Sequence, residues 1–247
     1  MSEARWFQSR QPYELWRMAR KVASSRQLQL VAMNAFQLLD AVLEDHQRIR
    51  VQEMERVVWQ NATHTELQAR FQQHYQHILE ETQSWVQQST TNISTNNEQR
   101  LMEAVVMSQA AMIGAPVDSA LYRVIDWLKS YATRAAAPGM SRLANRQMDG
   151  KLVSIFREVL GNPFSARAAV GPRSITTALS WQVAISETAE AMARGIVDQR
   201  AFDRMPILAD VLEEDGCRDA ELLEHLRSAE TVHLAGCWAL DFVLQVR

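Results

Sequence analysis

The chain has 247 residues, of which 47% are hydrophobic and 22% charged, and its formal net charge is -3. This length fits one large domain or two small ones, and this balance is typical of a globular protein with a buried core. The small negative charge provides no basic field for nucleic acid, and two cysteines cannot form a disulfide framework. No apolar run approaches the ~20 residues of a membrane helix. The N-terminus contains no apolar signal segment. We therefore expect a soluble cytoplasmic protein whose partners are neither membranes nor nucleic acids.

The charge is unevenly distributed along the chain. Residues 1–50 contain eight Arg or Lys against five acids, whereas residues 201–230 contain nine acids against three Arg. The basic stretch, around Arg17, Arg20 and Lys21, could contact an acidic partner. The alternative is that both segments simply form solvated helix surfaces.

The N-terminal half has the composition and the periodicity of helices. All eight glycines lie at or beyond Gly114, and Pro12 is the only proline before that point. Apolar residues between Leu28 and Val42 recur at three- and four-residue steps, and Ser24 and Ser25 stand before them as candidate caps. No sustained alternation of apolar and polar residues occurs, so we predict an all-α fold.

Polar stretches divide this predicted fold into helical regions. The segment QQSTTNISTNNEQ, at 87–99, is typical of a loop, and SARAAVGPRS, at 165–174, is typical of a second linker. We predict an N-terminal helical region at 1–88, a linker at 89–98, a central helical region at 99–164 and a C-terminal helical segment at 175–247. The expected architecture is a multi-helix, bundle-like assembly, either elongated or two-lobed.

Three helices are predicted at the C-terminus. Pro206 fits the first turn of one helix, and Gly216 fits its end. Asp219 fits the start of a second helix, which is followed by a short connection. The third helix is expected from about Thr231 to Gln245 because the segment is apolar on nearly every face.

One stretch, GCRDAELLEHLRSAETVHLAGC at 216–237, contains both cysteines and two histidines. Cysteine and histidine are the preferred ligands of zinc, although the spacing of Cys217, His225, His233 and Cys237 matches no compact zinc finger. Two antiparallel helices with a short connection would place His225 beside His233, and Cys237 on the same helix face as His233. Cys217 would then lie too far along the first helix to join them. The favoured interpretation is that both cysteines are buried apolar residues and both histidines are partly exposed, with zinc binding as the alternative.

Other candidate sites are weaker. His74 and His77 precede Glu80 and Glu81 by one turn, which is the spacing of ligands on one helix face. A di-iron bundle would need paired Glu-x-x-His motifs, and the only one here is Glu230 to His233. A basic and aromatic cluster lies near the N-terminus, and inward packing of its aromatic rings is favoured over binding of nucleic acid; its members are Arg5, Trp6, Arg10, Tyr13, Trp16, Arg17, Arg20, Lys21 and Arg26.

Several segments carry a resemblance to known sequences: LGNPF at 160–164, AFDRMPILADVLEEDGC at 201–217, HLAGCWALDFVL at 233–244 and, at the N-terminus, SSRQLQLVAMNAFQLL. They are similar to a family of uncharacterised helical proteins abundant in planctomycete bacteria. The resemblance implies a helical fold and no particular activity. The chain departs from the family at Leu226, where an extra cysteine is common, and at residues 32–37, where small or cysteine-rich segments occur. Both departures argue against carrying a metal site over from the family.

The functional prediction depends mainly on the absence of sequence signatures that are typical of enzymes. The glycine-rich signatures of nucleotide binding and the nucleophile signature of the hydrolases are absent. We therefore predict a non-enzymatic interaction or regulatory module whose partner is another protein, and we assign no catalytic, cofactor-binding or metal-binding residue. The alternative is a zinc sensor or an enzyme that uses the cluster of His225, His233 and Cys237.

Overall fold

The computed structural model contains helices and turns over the part of the chain that it describes. That part comprises residues 2–42, 117–164, 185–229 and 231–245, with scattered helical positions at 45, 48, 49, 52, 53, 55, 56, 69 and 80. No strand occurs among these residues, so the predicted all-α class is confirmed. None of the helices in these ranges is long and apolar enough to span a bilayer.

The chain divides into two compact units. One unit comprises Met1–Ala4 and Arg157–Arg247, and the other comprises Arg5–Phe156. The boundaries between the units fall inside two helices, Glu3–Gln8 and Ser141–Leu160. The linkers predicted at 89–98 and at 165–174 lie outside the described residues.

The unit Arg5–Phe156 is built on helices that pack around α4. In chain order the helices are α1 (Glu3–Gln8), α2 (Pro12–Ala19), α3 (Ser25–Phe36), which continues as a 3-10 turn over Gln37–Val42, α4 (Val117–Ala135) and α5 (Ser141–Leu160). Both α2 and α3 pack against α4. The side chains of Leu15, Leu30, Phe36 and Val124 are fully buried. Burial of such side chains is the main stabilising contribution, at about 1.5–3 kcal/mol for each.

The described residues of the unit that contains the C-terminus form four further α-helices. They are α6 (Glu187–Gln199), α7 (Met205–Glu214), α8 (Ala220–Arg227) and α9 (Trp238–Val243). α7 packs against α6 and α8, and α9 packs against the same two helices. Pro206 lies in the first turn of α7, and the Asp219 carboxylate accepts a hydrogen bond from the Leu222 amide at 3.1 Å, as a helix cap does. Both positions agree with the sequence prediction.

The third C-terminal helix is much shorter than predicted. We expected helix from about Thr231 to Gln245, but α9 begins at Trp238, and its N-cap is Cys237. Gly236 adopts φ +82°, which a right-handed helix cannot contain. The prediction treated the apolar run as continuous and overlooked this glycine. His233 and Cys237 therefore do not share a helix face.

α3 begins with a reciprocal cap. The Ser24 hydroxyl accepts a hydrogen bond from the Gln27 amide at 3.3 Å, and the Gln27 side chain accepts one from the Ser24 amide at 3.0 Å. This capping box satisfies two polar groups that the helix itself leaves unpaired. It fixes the start of α3, whose apolar face packs against α4.

Replacing Ser24 by alanine should lower the free energy of unfolding by about 1 kcal/mol, because the Gln27 amide loses its acceptor. Urea unfolding followed by circular dichroism measures this change. Ser25→Ala is the matched control, since Ser25 is the first residue within the helix and is exposed. Equal losses in the two variants would contradict a specific role for the Ser24 cap.

Candidate metal centre

Four side chains of three chemical types converge in the unit that contains the C-terminus. They are Glu158, His225, His233 and Cys237, and one potential ligand atom from each lies within 4.8 Å of all the others. Glu158 lies in the last turn of α5, and His225 lies in α8. His233 belongs to the non-helical segment before α9, and Cys237 is the N-cap of that helix. Three separate parts of the chain thus meet at one point.

Local structure explains how α8 and α9 present their ligands. Leu222 and Leu226 bury one face of α8, and His225, three residues after Leu222, lies at the edge of that face. The chain then leaves the helix at Ser228 and returns to start α9 after the left-handed Gly236. This return brings Cys237 back to His225, twelve residues earlier in the chain.

The contacts within the cluster are short. His225 Nε2 lies 3.2 Å from Cys237 Sγ and 3.5 Å from Glu158 Oε2. His233 Nδ1 lies 3.0 Å from Glu158 Oε1. The two imidazole rings meet edge to face, with 5.0 Å between their centroids. The Glu158 carboxylate therefore contacts both rings, and His225 also contacts the sulphur.

The cluster is almost entirely shielded from solvent. Cys237 is fully buried, and the side chains of Glu158, His233 and His225 are 3%, 6% and 14% exposed. Among the described residues, Glu158 Oε2 and His233 Nε2 are buried without a hydrogen-bond partner. A buried polar atom without a partner costs about 1–3 kcal/mol. Both atoms belong to side chains of the same cluster.

The protonation of Glu158 and Cys237 follows from this environment. Burial alone would raise the pKa of the Glu158 carboxyl, but its interactions with the His225 and His233 rings outweigh burial and lower the pKa to about 2. Burial raises the pKa of the Cys237 thiol well above its ordinary value, and the Glu158 carboxylate raises it further. Without a cation, the cluster therefore holds an ionised carboxylate next to a protonated thiol.

The contact between His225 and Cys237 could also suggest a nucleophile and its base. A reactive cysteine needs a lowered pKa and partial exposure. Cys237 has a raised pKa and no exposed surface, so it meets neither condition. Metal ligation fits better, because a cation converts a buried thiol to a thiolate without requiring access for a substrate.

The sequence placed three of these four residues correctly in one neighbourhood. His225, His233 and Cys237 meet, whereas Cys217 is buried after the end of α7 and is not part of the cluster, as the helix geometry predicted. The histidines are more deeply buried than the partly exposed side chains that we expected. Neither cysteine forms a disulfide bond.

Glu158 was missed by the sequence analysis. It lies three residues after Ile155 and directly before Val159, both of which are buried, so it occupies an apolar position of α5. A charged residue at an apolar position in a helix is seldom buried unless it is paired. That pattern could have indicated that Glu158 is paired. It could not have identified the partners, which lie 67 to 79 residues further along the chain.

The remaining candidates are placed as follows. His74, His77, Glu81 and Glu230 lie outside the described residues, and Glu80 is an exposed helical position. Arg17, Arg20 and Lys21 are exposed, and the Arg20 guanidinium lies 5.1 Å from the centroid of the Trp16 ring. Tyr13 and Trp16 pack on Tyr122 of α4, which agrees with inward packing of the aromatic rings.

Comparison of the chain with known protein families, with characterised proteins and with solved structures finds no match. The planctomycete family likeness therefore stays a prediction from the segments quoted above. Any assignment of function depends on the geometry of the cluster itself.

Glu158→Gln should reveal the stability that the ionised carboxylate contributes. Because the pKa of Glu158 in the folded protein lies below its ordinary value of 4.5, this contribution is complete above pH 4.5 and is lost as pH falls towards 2. In metal-free protein above pH 4.5, the free energy of unfolding of the wild type should exceed that of the variant by about 3 kcal/mol. This difference in the free energy of unfolding should shrink at lower pH. Urea unfolding at a series of pH values measures it.

Glu190→Gln serves as the control, since the Glu190 side chain is 46% exposed and pairs with the exposed Arg194 one helical turn away. This substitution should change the free energy of unfolding by no more than about 0.5 kcal/mol. A difference between wild type and Glu158→Gln that does not change with pH would contradict the assigned ionisation.

Proposed function

We propose that the protein binds one divalent transition metal ion, in the first place zinc, through Glu158, His225, His233 and Cys237. The observation that carries the proposal is the convergence of four potential ligand atoms within 4.8 Å, in a buried cluster. The zinc alternative drawn from the sequence supplies three of these residues. Glu158 replaces Cys217 as the fourth.

The ligand types favour zinc. Imidazole nitrogen, thiolate sulphur and carboxylate oxygen are its usual protein donors, and four of them complete a tetrahedral site. A single thiolate among nitrogen and oxygen donors is less suited to copper(I) or to iron–sulphur clusters, which prefer several sulphur ligands. Calcium and magnesium prefer oxygen ligands alone.

Charge balance supports the same assignment. A carboxylate and a thiolate together carry two negative charges, which one Zn²⁺ ion neutralises. Burial of an electrically neutral group of metal and ligands costs much less free energy than burial of an isolated ion. The two buried atoms without partners, Glu158 Oε2 and His233 Nε2, belong to two of the proposed ligands.

The role that fits such a site is structural or regulatory. Four protein ligands leave no open position for a substrate, whereas catalytic zinc keeps one. The ion would join the last turn of α5, the last turn of α8 and the start of α9, so its binding energy would add to the folding energy of this unit. A role as an interaction module, predicted from the sequence, is compatible with a metal-stabilised unit and stays a prediction.

Full-length protein prepared without a histidine tag should bind one Zn²⁺ or Co²⁺ per chain, as measured by native mass spectrometry. Bound Co²⁺ should give the ligand-field bands of tetrahedral coordination and a sulphur-to-cobalt charge-transfer band. His233→Ala should weaken binding, and Cys237→Ser should abolish the charge-transfer band. Circular dichroism establishes that each variant has folded.

Cys217→Ser is the matched control, because Cys217 is equally buried and lies outside the cluster. It should retain the stoichiometry and the spectrum of the wild type. If folded wild-type protein takes up no metal, or if Cys217→Ser loses the charge-transfer band instead, the proposal is wrong.

Zinc binding should also release protons, because the thiol of Cys237 is protonated in the absence of metal and must become a thiolate. At neutral pH we expect release of about one proton or more per ion bound. Calorimetric titrations in two buffers with different heats of ionisation measure this number. Binding without proton release would show that Cys237 does not ligate the metal.

A further inference from the structure

One tryptophan connects the helix end that holds Glu158 to the ring of His225. The Trp238 ring lies against the His225 ring, with 4.8 Å between their centroids and a tilt of 47°. The same ring also lies next to Gly161, three residues after Glu158. A Cβ atom built on Gly161 would lie only 2.8 Å from Cγ of Trp238, so the indole occupies the space that any other residue would fill.

Gly161 is also required by its backbone. It adopts φ +58° immediately after α5 ends at Leu160, and its amide donates a hydrogen bond to the Arg157 carbonyl at 2.8 Å. Glycine adopts this left-handed conformation at helix ends without a steric penalty. The same residue thus ends α5 and provides the surface on which the indole lies.

We infer that Trp238, held against Gly161, is a positioning residue that orients the His225 ring for metal binding. This inference depends on the proposed function. The His225 ring contacts both the Trp238 ring and the His233 ring, and rotation of the His225 ring would move Nε2 away from Cys237 and Glu158. The outer contacts of a metal-binding histidine normally fix its ring orientation, and their loss weakens metal affinity by about 10- to 100-fold.

The first test compares two replacements of Trp238 in full-length protein. Trp238→Leu removes the flat ring and should raise the Kd for Zn²⁺ at least about tenfold, with altered ligand-field bands for Co²⁺. Trp238→Phe keeps an aromatic ring against His225 and should retain a Kd closer to that of the wild type. Trp127→Leu, on α4 in the other compact unit, controls for loss of a partly buried indole.

The second test uses glycines. Gly161→Ala should displace the indole and raise the Kd for Zn²⁺. Gly216→Ala is the matched control, because Gly216 also has a positive φ, of +96°, that disfavours a side chain, but nothing lies within 4 Å of an added Cβ. Gly216→Ala should lower the free energy of unfolding and leave the Kd unchanged.

The outcomes separate the inference from the proposal on which it depends. If wild-type protein binds zinc and Trp238→Leu binds it equally well, the positioning role is wrong and the metal site stands. If Gly161→Ala and Gly216→Ala change the Kd equally, the effect is general destabilisation, and the inference also fails. If the wild type binds no zinc, both fail. Should Trp238→Leu not fold, the glycine pair decides.

Discussion

The interaction on which the C-terminal part of the structure depends is the contact of one buried carboxylate with two imidazole rings. An ionised carboxylate in a protein interior is costly unless its charge is balanced. Glu158 meets this requirement through His225 and His233, which lower its pKa to about 2 against the opposing effect of burial. The arrangement leaves one carboxylate oxygen and one ring nitrogen buried and unsatisfied. A cation at the centre of the cluster would satisfy both atoms and balance the charge.

The fold makes this contact possible by bringing together short elements rather than one regular motif. α5 supplies Glu158 and ends at Gly161, while α8 supplies His225. The left-handed Gly236 then redirects the chain so that Cys237 can begin α9. Because the ligands come from three places, a bound ion would connect these three segments of the chain.

Much of the local structure could be predicted from the sequence, because caps and helix periodicity are local properties. Ser24, Pro206 and Asp219 occupy the positions expected of them. The C-terminal helix was predicted too long because apolar character alone does not distinguish a buried helix from a buried turn. The metal cluster was predicted only in part, because the pairing of Glu158 with His233 spans 75 residues and no local pattern encodes it.

The central claim is that Glu158, His225, His233 and Cys237 together bind one metal ion. X-ray absorption spectroscopy at the zinc edge, on full-length protein loaded with one equivalent of zinc, tests it most directly. The account predicts four ligands: one sulphur at about 2.3 Å and three nitrogen or oxygen atoms at about 2.0–2.2 Å. A spectrum without sulphur, or with the six oxygen or nitrogen neighbours of a hydrated surface ion, would contradict it.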